Sequence, residues 1–187
     1  ARAYKTYAGN NCREHFAELT QALALLSATV PEEAMARELR EKLSGVDGSL
    51  VRTTLSYAIY KYEALLQEPD KYGAIVFDDI AKDWGYMLYN KATSFWETVK
   101  GADDFDKAGS LCHGWSAIPA YFFYAYILGV RPLEPGFRKF TALPVKQGVD
   151  HASGIVPTPY GDIRVDWEKR GCEVICQIQH PEAIARV

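Results

Sequence analysis

The chain has 187 residues, 48% of them apolar and 24% charged, a balance too hydrophobic for disorder and a length suited to one or two domains with a core. Its 21 basic and 24 acidic residues leave a formal charge of -3 with no run of Lys or Arg, so no nucleic-acid partner is expected. The longest apolar stretch, Ile118 to Val130, is broken by Pro119 and Gly129 and is shorter than the roughly 20 residues of a membrane-spanning helix, so no membrane partner is expected either.

The chain opens on Ala1-Arg2-Ala3-Tyr4 with neither an initiating Met nor a signal-peptide pattern, and reads as starting mid-protein. Apolar residues then recur at helical spacing. Phe16, Leu19, Leu23 and Leu26 form one stripe, and Met35, Leu39 and Leu43 a second, which starts after Pro31-Glu32-Glu33 because Pro and acids suit a first helical turn. After the turn Gly45-Val46-Asp47-Gly48, a third stripe runs Val51, Leu55, Ala58, Tyr62 and Leu65, and a fourth holds Val76, Phe77, Ile80 and Trp84. A fifth helix is expected from Ser110 as cap to Gly129 as stop, kinked or restarted at Pro119.

Beyond Arg131 the pattern switches to short β-branched and aromatic segments separated by turn residues. Four strands of an antiparallel sheet are expected, near Phe137 to Leu143, Asp162 to Glu168, Cys172 to Gln179 and Ala183 to Val187, with the clearest alternation at Ile163, Val165 and Trp167. The last strand-like segment leaves an edge to be covered, and a longer parent protein is inferred. The four cysteines lack disulfide or zinc spacing and read as isolated buried thiols.

Asp83-Trp84-Gly85-Tyr86-Met87-Leu88-Tyr89 and Thr93-Ser94-Phe95-Trp96-Glu97 form the densest unusual stretch and are expected in a long loop between the fourth and fifth helices. A carboxylate beside Phe95 and Trp96 sits where function concentrates; the alternative is a helix cap or a pair with Lys100. In Ser110-Leu111-Cys112-His113-Gly114-Trp115 the histidine is expected in the first turn of a helix, next to a glycine that permits close approach. A hydrogen-bonded structural histidine is the other reading of His113. Asp103, Asp104 and Asp106 lack the glycine and terminal glutamate of a calcium loop and read as a solvated acidic loop.

Five ordered blocks carry a resemblance: W-G-Y-M-L, T-S-F-W-E, S-L-C-H-G-W-S-A-I-P, L-G-V-R-P-L-E-P-G-F and V-P-T-P-Y-G-D-I-R-V-D-W. Together, over roughly residues 10 to 187, they resemble the C-terminal part of bacterial α-L-rhamnosidases of glycoside hydrolase family 78. The resemblance implies that residues 1 to 130 are the last helices of an (α/α)6 toroid and that residues 131 to 187 begin an antiparallel β-sandwich. It implies an inverting glycosidase acting on terminal α-L-rhamnosyl linkages of a glycoside or oligosaccharide, with Glu97 as the general base and the general acid upstream of Ala1. His113 matches a position that hydrogen-bonds the sugar, and Trp96, Trp84 and Trp115 are candidate apolar walls. No cofactor and no metal are expected, and the isolated chain is expected to be inactive. A homo-oligomer covering the exposed helix edge remains a partner to consider. Two alternatives stay open: another (α/α)6 carbohydrate-active enzyme, or a truncated non-catalytic sugar-binding or assembly module.

Overall fold

A computed structural model describes residues 2–9, 14–45, 48–145, 148–171 and 173–187. Of the expectations above, Val46 and Asp47 in the turn and the cysteines at 12 and 172 lie outside these residues. Helices come first and two small sheets follow. The chain divides into two compact units, Ala1–Ala117 and Ile118–Val187.

The first unit holds α1 (Glu18–Leu26), α2 (Glu33–Leu43), α3 (Ala58–Leu65) and α4 (Pro69–Tyr89), with single 3-10 turns at Leu55–Tyr57, Gly101–Asp103 and Gly114–Ser116. In α2 the residues Leu39 and Leu43 are fully buried, and Arg40 and Lys42 in its last turn complement the dipole. In α4 Pro69 occupies the first turn and Val76, Phe77, Ile80 and Trp84 are buried as their spacing requires. No helix among the described residues is long and apolar enough to cross a membrane.

The buried face of α1 is not the expected one. Gln21, Ala22 and Leu25 face inward together with Glu18, while Leu23 is 43% exposed. The polar residues are buried because each has an internal partner. Gln21 accepts a hydrogen bond from the Tyr4 amide and donates one to the Tyr4 carbonyl, both at 2.8 Å, and Glu18 meets Lys61. Val51 also departs from its expected stripe. It lies ahead of α3 in a parallel bridge to Ala17, its amide donating to the Phe16 carbonyl at 2.8 Å.

Two further expectations fail in the stretch before the sheets. Asp83 to Tyr89 is helical, the end of α4, and the loop begins only at Asn90. The fifth helix does not begin at Ser110, and of the two alternatives at Pro119 the restart is observed: α5 spans Ile118–Phe122 and passes into a π-turn at Phe123–Ile127. Pro119 is the cause, since without an N–H it fits the first turn of a helix but cannot sit inside one.

Among its described residues the second unit contains six strands rather than four: β1 (Val130–Pro132), β2 (Lys139–Ala142), β3 (His151–Thr158), β4 (Gly161–Arg170), β5 (Glu173–Gln179) and β6 (Ala185–Arg186). β3-β4-β5 is an antiparallel meander. In the other sheet β1 pairs antiparallel with β2, but β6 joins β2 in parallel, which corrects the all-antiparallel expectation. The physical origin is chain direction: β6 returns after the meander rather than through a hairpin from β2.

Both sheets face one core. Val130, Phe140 and Ala142 from the first meet Val156, Ile163, Val165 and Trp167 from the second, with Leu128 from just before β1 and Ile184 from just before β6. The indole N–H of Trp167 donates to the Ile127 carbonyl at 2.8 Å. Gly129 has φ +78 and stops the preceding helical turns; a Cβ there would lie 2.3 Å from the Leu143 carbonyl carbon. The two described cysteines, Cys112 and Cys176, are free and exposed rather than buried. Cys112 sits in a loop, and Cys176 lies on β5, an edge strand that is largely uncovered.

Candidate functional site

In the first unit the segment around Glu97 runs beside the segment around His113. The Glu97 amide donates to the Ser110 carbonyl at 2.9 Å, and the His113 amide donates to the Phe95 carbonyl at 2.7 Å. Ser94 Oγ adds a bond to the Leu111 carbonyl. The carboxylate of Glu97 accepts the Ser110 amide through Oε2 at 3.3 Å, and Glu97 is half-buried. It neither caps a helix nor forms an ion pair with Lys100 among the described residues.

Two glycines shape the turn that returns from Glu97 to Ser110. Gly101 has φ +57, and a Cβ on it would come within 2.7 Å of the Trp96 ring. A Cβ on Gly109 would lie 2.0 Å from the Gly101 carbonyl oxygen. Between them Phe105, Asp106 and Lys107 all have positive φ, a left-handed turn of non-glycine residues that costs roughly 1–2 kcal/mol per residue. Asp103 and Asp106 are exposed, as a solvated acidic loop requires.

Gly109→Ala is therefore expected to cost about 1–3 kcal/mol, because the contact is with backbone that must move. The readout is trypsin cleavage at Lys100 and Lys107, faster in the variant. Gly114→Ala is the control and should leave cleavage unchanged, since a Cβ there meets nothing within 4 Å.

His113 is not in a helix. Its backbone is extended, ahead of the 3-10 turn Gly114–Ser116. Its Nε2 meets Ser56 Oγ at 3.1 Å, and the ring packs edge-on to Trp115, centroids 6.1 Å apart. Trp115 is 72% exposed, Trp96 half-buried and Trp84 buried, its indole N–H donating to the Ser116 carbonyl at 2.8 Å. The hydrogen bonds thus bring Glu97, Trp96 and His113 onto adjoining segments, and Trp84 lies beneath Ser116 in the chain that carries Trp115.

A charged network behind this region was not legible in the residue spacing. Lys61, only 6% exposed, bridges Glu18 Oε1 at 2.8 Å and Asp79 Oδ2 at 3.2 Å. Arg52 pairs with Asp83, whose side chain is almost wholly buried. Burial pushes the Asp83 carboxyl up, and Arg52 opposes that shift without cancelling it. Burial and then the nearby carboxylates of Asp79 and Asp83 raise the Tyr62 phenol. Glu18 Oε2 also accepts the Thr53 amide at 3.0 Å. The signal available in sequence was the run of polar residues inside apolar stripes, but their partners lie 18 to 43 positions away.

Residues 129–184 match the family model described as bacterial alpha-L-rhamnosidase C-terminal domain. The chain is similar to α-L-rhamnosidases, and residues 129–184 to their C-terminal domain. It is 35% identical over 99 residues to an alpha-L-rhamnosidase of Alteromonas sp. (strain LOR), covering 50% of this chain and 11% of that protein. An alpha-L-rhamnosidase of Formosa agariphila is 29% identical over 171 residues, covering 87% of this chain and 18% of that protein. Among solved structures, the GH78 family rhamnosidase of Bacillus sp. GL1 superposes with a TM-score of 0.81 at 29% identity, over 92% of this chain and 19% of that one. The chain therefore spans between about a tenth and a fifth of the length of these rhamnosidases.

Proposed function

We propose that this chain supplies the general base of an inverting α-L-rhamnosidase, with the general acid carried by residues outside it. The observation that carries this reading is the Thr-Ser-Phe-Trp-Glu segment held by backbone hydrogen bonds against Ser-Leu-Cys-His, in a chain related to α-L-rhamnosidases. On this reading residues 1–130 are the last helices of an (α/α)6 toroid and residues 131–187 begin the β-sandwich after it.

Inversion needs a carboxylate that takes a proton from water while the water attacks the anomeric carbon from the face opposite the leaving group. Glu97 suits that role: one oxygen accepts the Ser110 amide, which fixes the carboxylate, and the other is left to orient water. The two carboxyl groups would stand roughly 6.5–9.5 Å apart to admit that water. His113 then hydrogen-bonds the sugar, Trp96 and Trp115 offer apolar walls, and buried Trp84 holds the backbone at Ser116, the residue after Trp115. The substrate is a rhamnose-containing glycoside or oligosaccharide.

The test is the anomer first released by the full-length protein from an aryl α-L-rhamnoside, followed by proton magnetic resonance. β-L-Rhamnose is expected first, with the α anomer growing in by mutarotation. Release of the α anomer first, or no turnover, overturns the proposal.

A further inference from the structure

We propose that Ser56 is the positioning residue for His113, holding Nε2 so that Nδ1 is the ring nitrogen presented to the sugar; this rests on the reading of His113 given above. The Ser56 hydroxyl lies 3.1 Å from Nε2. Among the described residues no hydrogen bond is made by Nδ1. The His113 backbone is fixed separately, by its amide on the Phe95 carbonyl at 2.7 Å, and Trp115 borders the ring edge-on. With backbone and one ring nitrogen held, the ring has little rotational freedom left.

Ser56 is itself well anchored. It sits in the 3-10 turn Leu55–Tyr57, whose Leu55 is buried, and the chain just before it is tied down twice: the Thr53 amide donates to Glu18 at 3.0 Å and Arg52 pairs with Asp83 of α4. The buried network behind the site thus fixes the arm that reaches His113, and packing holds a group that must keep its angle. A hydroxyl can donate to Nε2 or accept from Nε2–H, so the same contact serves either tautomer. In one case Nδ1–H donates to a sugar oxygen; in the other Nδ1 accepts from a sugar hydroxyl.

The experiment uses the full-length protein and the variants Ser56→Ala, Ser56→Thr, His113→Ala and the double variant Ser56→Ala with His113→Ala. Ser56→Ala should raise KM for an aryl α-L-rhamnoside about three- to tenfold, the loss of one positioned hydrogen bond, and leave kcat nearly unchanged. Ser56→Thr should restore KM, and in the His113→Ala background the effect of Ser56→Ala should vanish because the two residues act as one unit. Independently of turnover, carbethoxylation of His113 by diethyl pyrocarbonate, read by mass spectrometry, should quicken severalfold when Ser56→Ala frees Nε2 and return with Ser56→Thr. An unchanged label, or an equal KM effect with and without His113, overturns the role of Ser56. A protein inactive on rhamnosides but with the faster label overturns the sugar reading instead and supports the Ser56 contact.

Discussion

In the full-length protein, Glu97→Gln is expected to lower turnover of an aryl α-L-rhamnoside by about 10² to 10⁴, the usual contribution of a general base, with KM little changed. The glutamine is nearly isosteric, and its amide oxygen can still accept the Ser110 amide that now bonds Oε2 at 3.3 Å. The loop should therefore keep its place, and what disappears is the ability to take a proton. The exposed Glu182 gives the control: Glu182→Gln should change neither kcat nor KM. A second arm tests whether the lost function is activation of the attacking group. In Glu97→Ala, added azide needs no deprotonation and can attack the anomeric carbon from the face the water would use, while the leaving oxygen takes its proton from the acid. Recovery of rate with a β-configured glycosyl azide is the expected result. A rate for Glu97→Gln within threefold of the parent assigns the base elsewhere.

How far the residues alone reached is clearest by comparing α4 with α1. In α4 the inward positions Val76, Phe77, Ile80 and Trp84 are large and apolar, so period 3.6 names them correctly, while buried Asp83 escapes it. In α1 two faces are apolar, and the one that is buried was decided by Gln21 and Glu18, polar residues whose partners are a backbone segment and Lys61. Periodicity carries no information about partners far along the chain. The same gap hid the contact of Ser56 with His113, 57 positions apart. Glu97 and His113 stand out in their sequence blocks and lie on adjoining segments, whereas Gly101 and Gly109, which shape the turn between them, carry no signal in spacing. Among the strands, β4 was legible because Ile163, Val165 and Trp167 alternate with charged residues, all three being buried. β3 is absent from the expected strands, and it carries Gly154 and Pro157, two residues that weaken a strand pattern. Both have structural reasons. A Cβ at Gly154 would lie 2.6 Å from a Leu128 methyl group, and among the described residues β3 pairs with β4 alone, so Pro157 stands on an edge strand where a missing N–H is tolerated.

Trp167 shows what that alternation does for the second unit. It is fully buried at the centre of β4, opposite Ala152 of β3 and Cys176 of β5, and its indole N–H satisfies the Ile127 carbonyl. Trp167→Ala removes the largest side chain of the core shared by the two sheets and leaves that carbonyl without its donor. The expected cost is about 3–5 kcal/mol for the cavity, and about 1 kcal/mol more where water cannot replace the lost hydrogen bond. Because the loss is local to the sheets, hydrogen exchange of the β4 amides in the full-length protein is the sensitive readout. Amides from Ile163 to Lys169 should exchange about 10² times faster or more, since 1.4 kcal/mol is a factor of ten in an opening equilibrium. Trp167→Phe keeps most of the buried area and should give a smaller acceleration. Ile175, 41% exposed on the outer face of β5, supplies the contrast: Ile175→Ala should leave β4 exchange within about threefold of the parent, as surface substitutions stay near ±0.5 kcal/mol. If Trp167→Ala behaved like Ile175→Ala, the two sheets could not depend on one shared core, and the packing that joins β1-β2-β6 to β3-β4-β5 would have to be carried by the smaller side chains around Leu128 and Phe140.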